Sequence, residues 1–523
     1  MEERQGMGKH VPSIFNDVVG PVMRGPSSSH SAAALRIGRM CRDLIGGDPS
    51  KVMVRYDQND ALATTHESQG SDMGMRGGIL GFEADDPRLL EAETHLARAG
   101  IEIRFAVANS GKNIANLYRI DLHKQDESIA VEAVSTGGGM IRLLEINGTA
   151  VAMEGDWYET LIWSKEADVL QRISEKALWA EQALLHQGAE LILELRSSQA
   201  PGEAWISQTQ NLPEVHRLRL LLPVLPILAT GRKKVPFHSC KEMLAFHASE
   251  PSDSWEVALA YESLRGGISR QEARKMMDRR YEVMRKAVES GLKGTHFRDR
   301  ILGSQSPGYQ AAINQGILSK DDALHRITLY ISAIMEVKSS MGVIVAAPTA
   351  GSCGTFPGAV LGLADSRGMQ KKEVVNALLT GSLVGLFIAR SSTFSAEIGG
   401  CQAECGSGAG MAAAALVTLM GGTLNQSMAA ASMALQNSLG MICDPIAARV
   451  EAPCLGKNVS AAANALSCAN MILAGYDALI PLDEVVETMD RVGRSLPMEL
   501  RCTALGGLAI TPTAREVEKK LKK

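Results

Sequence analysis

Nine cysteines occur in the 523 residues, and all but Cys41 and Cys240 lie at position 353 or beyond. Three stand in loops stripped of bulk: Cys353 in "AAPTAGSCGTFPGAV", Cys401 in "IGGCQAECGSG" and Cys443 in "LGMICDPIA". Each loop sets a thiol among small residues and backbone amides. Soft thiolates suit zinc or an iron–sulfur cluster, and glycine lets backbone N–H groups approach a cluster's sulfides. No compact Cys-x-x-Cys accompanies them, so any shared site must be assembled from distant loops. Three buried thiols, each packed as a small apolar side chain, account for the spacing equally well. The N-terminal "RGPSSSH" (24–30) is a second candidate. Its three hydroxyls and consecutive amides make an anion-binding turn if it opens a helix. A serine-rich helix cap is the plain alternative. His30 is a candidate base or substrate contact.

The elements that must hold these residues can be read from periodicity. "SAAALRIGRMCRDLIGG" (31–47) has helical spacing and a Gly-Gly stop. "KVMVRYD" (51–57) alternates like a strand. A helix over 86–100, a strand over 101–109 and a strand–glycine–strand unit over 129–148 follow. Residues 11 to about 150 therefore read as a small α/β domain. One long helix is expected over 166–188, then a strand, then a Pro/Gly-rich linker near 197–216. From about 235 helices dominate, for example over 269–291 and 319–342. The predicted fold class is α+β, with an N-terminal small α/β domain joined to a C-terminal, mostly helical, cluster-binding domain. The boundaries are placed at 1–155, 156–234 and 235–523.

Composition narrows the function. A net charge of −4 gives no electrostatic reason for nucleic acid. The start "MEERQGMGKHVPSIF" lacks a basic-then-apolar leader, and no unbroken apolar run of about 20 residues predicts a membrane span. An odd cysteine count without a leader argues against a disulfide framework and for a reducing, cytoplasmic setting.

Taken together, "GPSSSH" with "ALRIGR", "GGILGF" (77–82), "STGGG" (135–139), "AAPTAGSCG", "CQAECGSG" and "CDPIAARVEAPCLGKN" (443–458) closely resemble the iron–sulfur-dependent L-serine dehydratases. The motifs run in order over most of the chain. They fit the single-chain form, with its β domain before its α domain. The resemblance implies a [4Fe–4S] cluster held by Cys353, Cys401 and Cys443, with one iron free of protein sulfur. Cys405 and Cys454 fall off the ligand positions and read as packing residues. The implied reaction converts L-serine, or a close β-substituted amino acid, to a 2-oxo acid and ammonia. A homodimer is expected, with the amino acid as its small-molecule partner. The implied substrate contacts are Ser27, Ser28, Ser29, Gln69, Ser71, Asp72, Thr349, Ala350 and Gly351, with His30 and His66 as candidate catalytic groups. No lysine stands in a recognisable Schiff-base context, so pyridoxal phosphate is not expected.

Two features depart from the family pattern. Where the family reads His-Gly-Thr-Asp, this chain reads Gln69-Gly70-Ser71-Asp72. An amide cannot accept a proton at neutral pH, so His66, His30 or another group must do that work. L-cysteine desulfidation, dehydration of another β-hydroxy acid, and a cluster-free binding role stay open on this ground; a zinc hydrolase is the weakest reading. Some members also end in a cysteine that reaches the cluster. Here the last thiol is Cys502, and it is not expected to serve as a fourth ligand. The segment 156–205 stands where some members carry a regulatory domain, and its pattern is too thin to predict one. Lys293 in "ESGLKG" reads as an exposed lysine.

Overall fold

The computed structural model describes residues 11–112, 114–229, 235–319 and 322–521. Lys51–Asp57 forms the predicted strand, and its alternation puts Val52, Val54 and Tyr56 inward. It lies inside a six-stranded sheet, in the order Glu102–Ala108, Lys51–Asp57, Leu117–Lys124, Glu127–Gly137, Met140–Ile146, Thr149–Met153. The first pair is parallel and the rest are antiparallel. Helices Ala33–Leu44 and Ser71–Ile79 pack on each other and supply Ile37, Met40, Leu44, Met75 and Ile79 to the core beneath the sheet. They cross so closely that a Cβ on Gly78 would lie 2.1 Å from the Leu35 carbonyl oxygen.

The segment after this sheet differs from expectation. The helix stops at Lys176 (Ala167–Lys176), and Gln182–Gln187 is a strand. The predicted linker contains helix Glu203–Gln210 and leads into strand Val215–Leu221. With Tyr158–Ser164 and Leu191–Ser197 these elements complete a βαββαβ unit, an antiparallel sheet in the order Val215–Leu221, Tyr158–Ser164, Leu191–Ser197, Gln182–Gln187. One face of the sheet packs under its own two helices through Ile162, Leu193 and Leu195. The other gives Leu161, Trp163 and Ile192 to the core of the six-stranded sheet. The apolar residues of 182–187 keep helical spacing, and only cross-strand pairing reveals them as a strand.

The rest is helical, as expected. Ser407–Leu419, rich in Ala, Gly and Ser, is the central rod; Thr355–Ser366, Lys371–Ser391, Leu424–Gln436 and Cys454–Leu473 pack around it. Small side chains let these helices approach. Lys371–Ser391 is long and apolar enough to cross a membrane, and 78% of its apolar window is buried in this core. The chain's N-terminal segment also belongs here. Ile14, Phe15, Val18 and Met23 join the helical core, and Val22–Met23 pairs with Ile344–Val345, just before the Cys353 loop. The α+β class stands as expected.

Candidate active site

Two of the three thiols, Cys401 and Cys443, meet, and Cys353 packs apart from them in the helical core. Cys401, Cys443 and the carboxylate of Glu404 offer ligand atoms that all lie within 4.8 Å of one another. Cys353, fully buried, ends the turn that opens helix Thr355–Ser366; its Sγ rests 3.8 Å from Met335 Sδ. Cys405 hydrogen-bonds to Cys401, and Cys454 starts helix Cys454–Leu473.

Cys502 lies beside Cys401 and Cys443. It is buried against Cys443, with Cys401 and Ala396 in the same small cluster. A short parallel bridge holds it there: Cys443 N–H donates to Leu500 O at 2.8 Å, and Cys502 N–H to Cys443 O at 3.0 Å. Distance from the chain end is therefore no obstacle to a fourth thiol reaching the site.

Hydrogen bonds to Cys405 and Cys443 hold the Cys401 thiol well below its ordinary range, with help from the Lys457 ammonium. Those same bonds to Cys401, and burial, push Cys405 and Cys443 up. Lys457 Nζ lies 4.0 Å from Cys401 Sγ and is fixed by Asp444 Oδ1 (2.6 Å) and Ile442 O (2.7 Å). Desolvation and the Cys401 sulfur push the Glu404 carboxyl up to about 8.

The "PTAGSCG" loop is stripped so that a carboxylate can approach it. A Cβ on Gly351 would meet the Glu404 carboxylate oxygens at 2.7 and 2.8 Å. Thr349 Oγ1 donates to Glu404 Oε1 at 2.6 Å. Asn458, fully buried, ties the loop to helix Cys454–Leu473: its Nδ2 donates to Gly351 O and Cys454 O (2.9 Å each), and its Oδ1 accepts from Thr355 N–H (3.0 Å) and Oγ1 (2.9 Å).

The "GPSSSH" turn sits against this loop and opens helix Ala33–Leu44 through a wide turn at Ser28–Ala32. Ser28 Oγ accepts from Ala350 N–H at 3.1 Å. Ser29 Oγ donates to Glu397 Oε1 at 3.0 Å. Thr65 Oγ1 donates to Ala61 O, so it accepts from His30 Nε2–H at 2.8 Å. His30 Nδ1 is then the acceptor for Ser27 Oγ–H at 2.9 Å. Burial lowers the His30 pKa, against the Glu397 charge. Both imidazole nitrogens are engaged.

His66 is more open. Its Nδ1 lies 2.9 Å from Asp72 Oδ1 and its ring stacks on Tyr56 at 4.6 Å. The Tyr56 hydroxyl donates to the same Asp72 oxygen at 2.9 Å. Ser71 Oγ turns to the Tyr118 hydroxyl at 2.9 Å. Gln69 is fully buried; its Nε2 points at Cys502 Sγ, 3.8 Å away, and its Oε1 has no partner among the described residues. The two departures read from the sequence, Gln69 and Cys502, are therefore neighbours. A cleft of about 180 Å³ opens beside these loops, lined by Pro26, Ser68, Gly70, Arg449, Val450 and Glu451 among others.

Glu404, Glu397, Lys457 and Asn458 escaped the sequence reading, although three lie inside the quoted motifs. Their signal was a polar side chain among small residues. Lys338 is a fifth: fully buried, it donates to Val450 O.

Known proteins resemble this chain in sequence. The serine dehydratase alpha chain family matches residues 170–509, more than half of the chain. A probable L-serine dehydratase alpha chain of Bacillus subtilis is 38% identical over 286 residues, covering 54% of this chain and 95% of the relative. The L-serine dehydratase alpha chain of Peptoniphilus asaccharolyticus is also 38% identical, over 51% of this chain and 91% of the relative. An L-serine dehydratase of Streptomyces coelicolor is 28% identical over 498 residues, 93% of this chain and 96% of the relative, so it carries the N-terminal sheet region as well. The converging glycine loops are those of a shared helical domain, and the chain belongs to the serine dehydratase alpha chain family.

Proposed function

We propose that the protein is an iron–sulfur-dependent lyase that converts L-serine to pyruvate and ammonia. One observation carries this reading: thiols from distant loops of a serine dehydratase helical domain gather in a buried pocket, and the GPSSSH turn is hydrogen-bonded to its rim. The donor set suits an iron–sulfur group, because it is soft, buried and thiol-rich. Cys353, Cys401 and Cys443 are the residues that would hold a [4Fe–4S] cluster. When bound, such a cluster supplies a Lewis-acidic iron to the substrate's β-hydroxyl.

The chain's own residues do the rest. His66 takes the α-proton. A carboxylate only accepts, so the Asp72 bond places hydrogen on Nδ1 and leaves the lone pair on Nε2. His30 is a positioning residue, since both its nitrogens are spent on Ser27 and Thr65. Ser27 and Ser29 give their hydrogens to His30 and Glu397; Ser28 accepts from Ala350 and keeps its own to donate to the substrate carboxylate. The unpartnered Gln69 Oε1 offers a fixed acceptor in the position where the family pattern has histidine. Loss of the α-proton and of the β-hydroxyl leaves an enamine, which becomes an imine and hydrolyses to pyruvate and ammonia.

The test is anaerobic reconstitution followed by 2-oxo acid release from L-serine, L-threonine and L-cysteine. A brown protein with about four irons per chain that turns over L-serine in preference supports the reading. A colourless protein that is fully active overturns it. Preference for L-cysteine makes the chain a desulfidase on the same scaffold.

A further inference from the structure

We propose that Glu404 is the residue that receives the substrate's α-ammonium, and so makes the site selective for amino acids over 2-hydroxy acids. This rests on the lyase reading above and names a specificity determinant for it.

Glu404 lies on the turn Gln402–Gly406, whose other residues are buried while it stays partly open. Its carboxyl lies between the Cys353 loop on one side and the Cys401 and Cys443 sulfurs on the other. Oε1 accepts from the neutral hydroxyl of Thr349, and Thr349 also contacts Ser352 Oγ at 3.1 Å. Among the described residues no Lys, Arg or His nitrogen lies within 4.0 Å of either oxygen. The nearby cations are committed elsewhere. Lys338 donates to Val450 O, and Lys457 to Asp444 and Ile442 O. The other groups facing the carboxylate are the Cys401 sulfur and Glu397, neither of them cationic.

A carboxyl among sulfurs, held in place by a hydroxyl, with no cation within ion-pairing distance among the described residues and the Lys338 charge acting only from farther away, is complementary to a small cation. The α-ammonium is the cation that an amino acid brings. Ala350, between the Thr349 and Gly351 that cradle Glu404, donates to Ser28, the proposed carboxylate donor. The two anchors thus flank one short segment of backbone, Thr349 to Gly351.

The test uses the full chain, reconstituted anaerobically, with calorimetric binding of glycine and glycolate. Both carry the carboxylate, neither can be dehydrated, and only glycine has the ammonium. In the unaltered protein glycine binds at least tenfold tighter than glycolate. Glu404→Gln weakens glycine about tenfold to a hundredfold, the range of a charge-assisted hydrogen bond, and leaves glycolate unchanged. Iron content and the electron paramagnetic resonance signal stay as in the unaltered protein, and KM for L-serine rises more than kcat falls. Thr349→Val gives a smaller change in the same direction. Lost iron or an altered resonance signal in Glu404→Gln overturns the inference by making Glu404 a metal ligand. Unchanged glycine affinity in a chain that still releases pyruvate overturns it alone. An unaltered protein that neither binds glycine nor releases pyruvate overturns the lyase reading, and this inference with it.

Discussion

Asn458→Ala removes the side chain that joins the Cys353 loop to helix Cys454–Leu473. Its amide donates to Gly351 O and Cys454 O, and its oxygen accepts from Thr355 N–H and Oγ1. Cys454 O sits four residues back along the helix, and Thr355 N–H also reaches Ser352 O at 3.0 Å. Gly351 O is the group left without a donor, at about 1–3 kcal/mol, and the remaining bonds are worth about 0.5–1.5 kcal/mol each. The loop should lose on the order of 4 kcal/mol of local stability. That converts to roughly a thousandfold faster amide exchange, at most, for a peptide spanning 346–356. Asn458→Asp is the sharper perturbation, because it keeps size and the Thr355 acceptor. It turns the donor NH₂ into an oxygen facing Gly351 O, Cys454 O and the Cys405 sulfur, which lies 3.6 Å from that nitrogen. Asn458→Asp should therefore damage the loop at least as much as Asn458→Ala, read by exchange mass spectrometry and by iron bound after reconstitution. Normal exchange and full iron in Asn458→Asp would refute the reasoning, since the loop would then be held by something other than this amide.

Cys353→Ala, Cys401→Ala and Cys443→Ala should each abolish bound iron, measured per chain, whereas Cys240→Ala should leave it intact. His66→Asn should lower kcat for 2-oxo acid release by about 10²–10⁴-fold with iron retained, the usual size of a lost general base. Gly74→Ala forces a Cβ to within 2.0 Å of the Ser31 carbonyl oxygen; it should cost about 3 kcal/mol or more and disturb the GPSSSH turn, seen as a lower melting temperature. Glu159 in the βαββαβ unit is buried, its carboxylate oxygens have no hydrogen-bond partner among the described residues and Arg196 Nε lies 4.0 Å away, and desolvation and Glu194 push its pKa well above the usual carboxylate range. The folded state then binds more protons than the unfolded one, so stability falls as pH rises above the unfolded value near 4.5. Glu159→Gln should therefore melt higher than the unaltered protein at pH 7 and match it near pH 4.

The amino-acid sequence by itself determined the local parts. Alternation in "KVMVRYD" set a strand, and glycine stops closed the helix before it. Small residues around each thiol marked three loops as places of close backbone approach. Such signals survive in one dimension because they rest on a few neighbouring residues. The βαββαβ unit was hidden for the opposite reason: Ala183, Leu184 and Leu185 continue the helical spacing of 167–176, and only pairing with Leu191–Ser197 makes them a strand. Tertiary structure alone placed the Glu404 carboxylate over Gly351, brought Cys502 from the far end of the chain onto Cys443, and set Gln69 against Cys502. Contacts between residues tens to hundreds of positions apart carry no local pattern, because they depend on how whole helices pack, so the arrangement of the site became legible only once the loops were folded together.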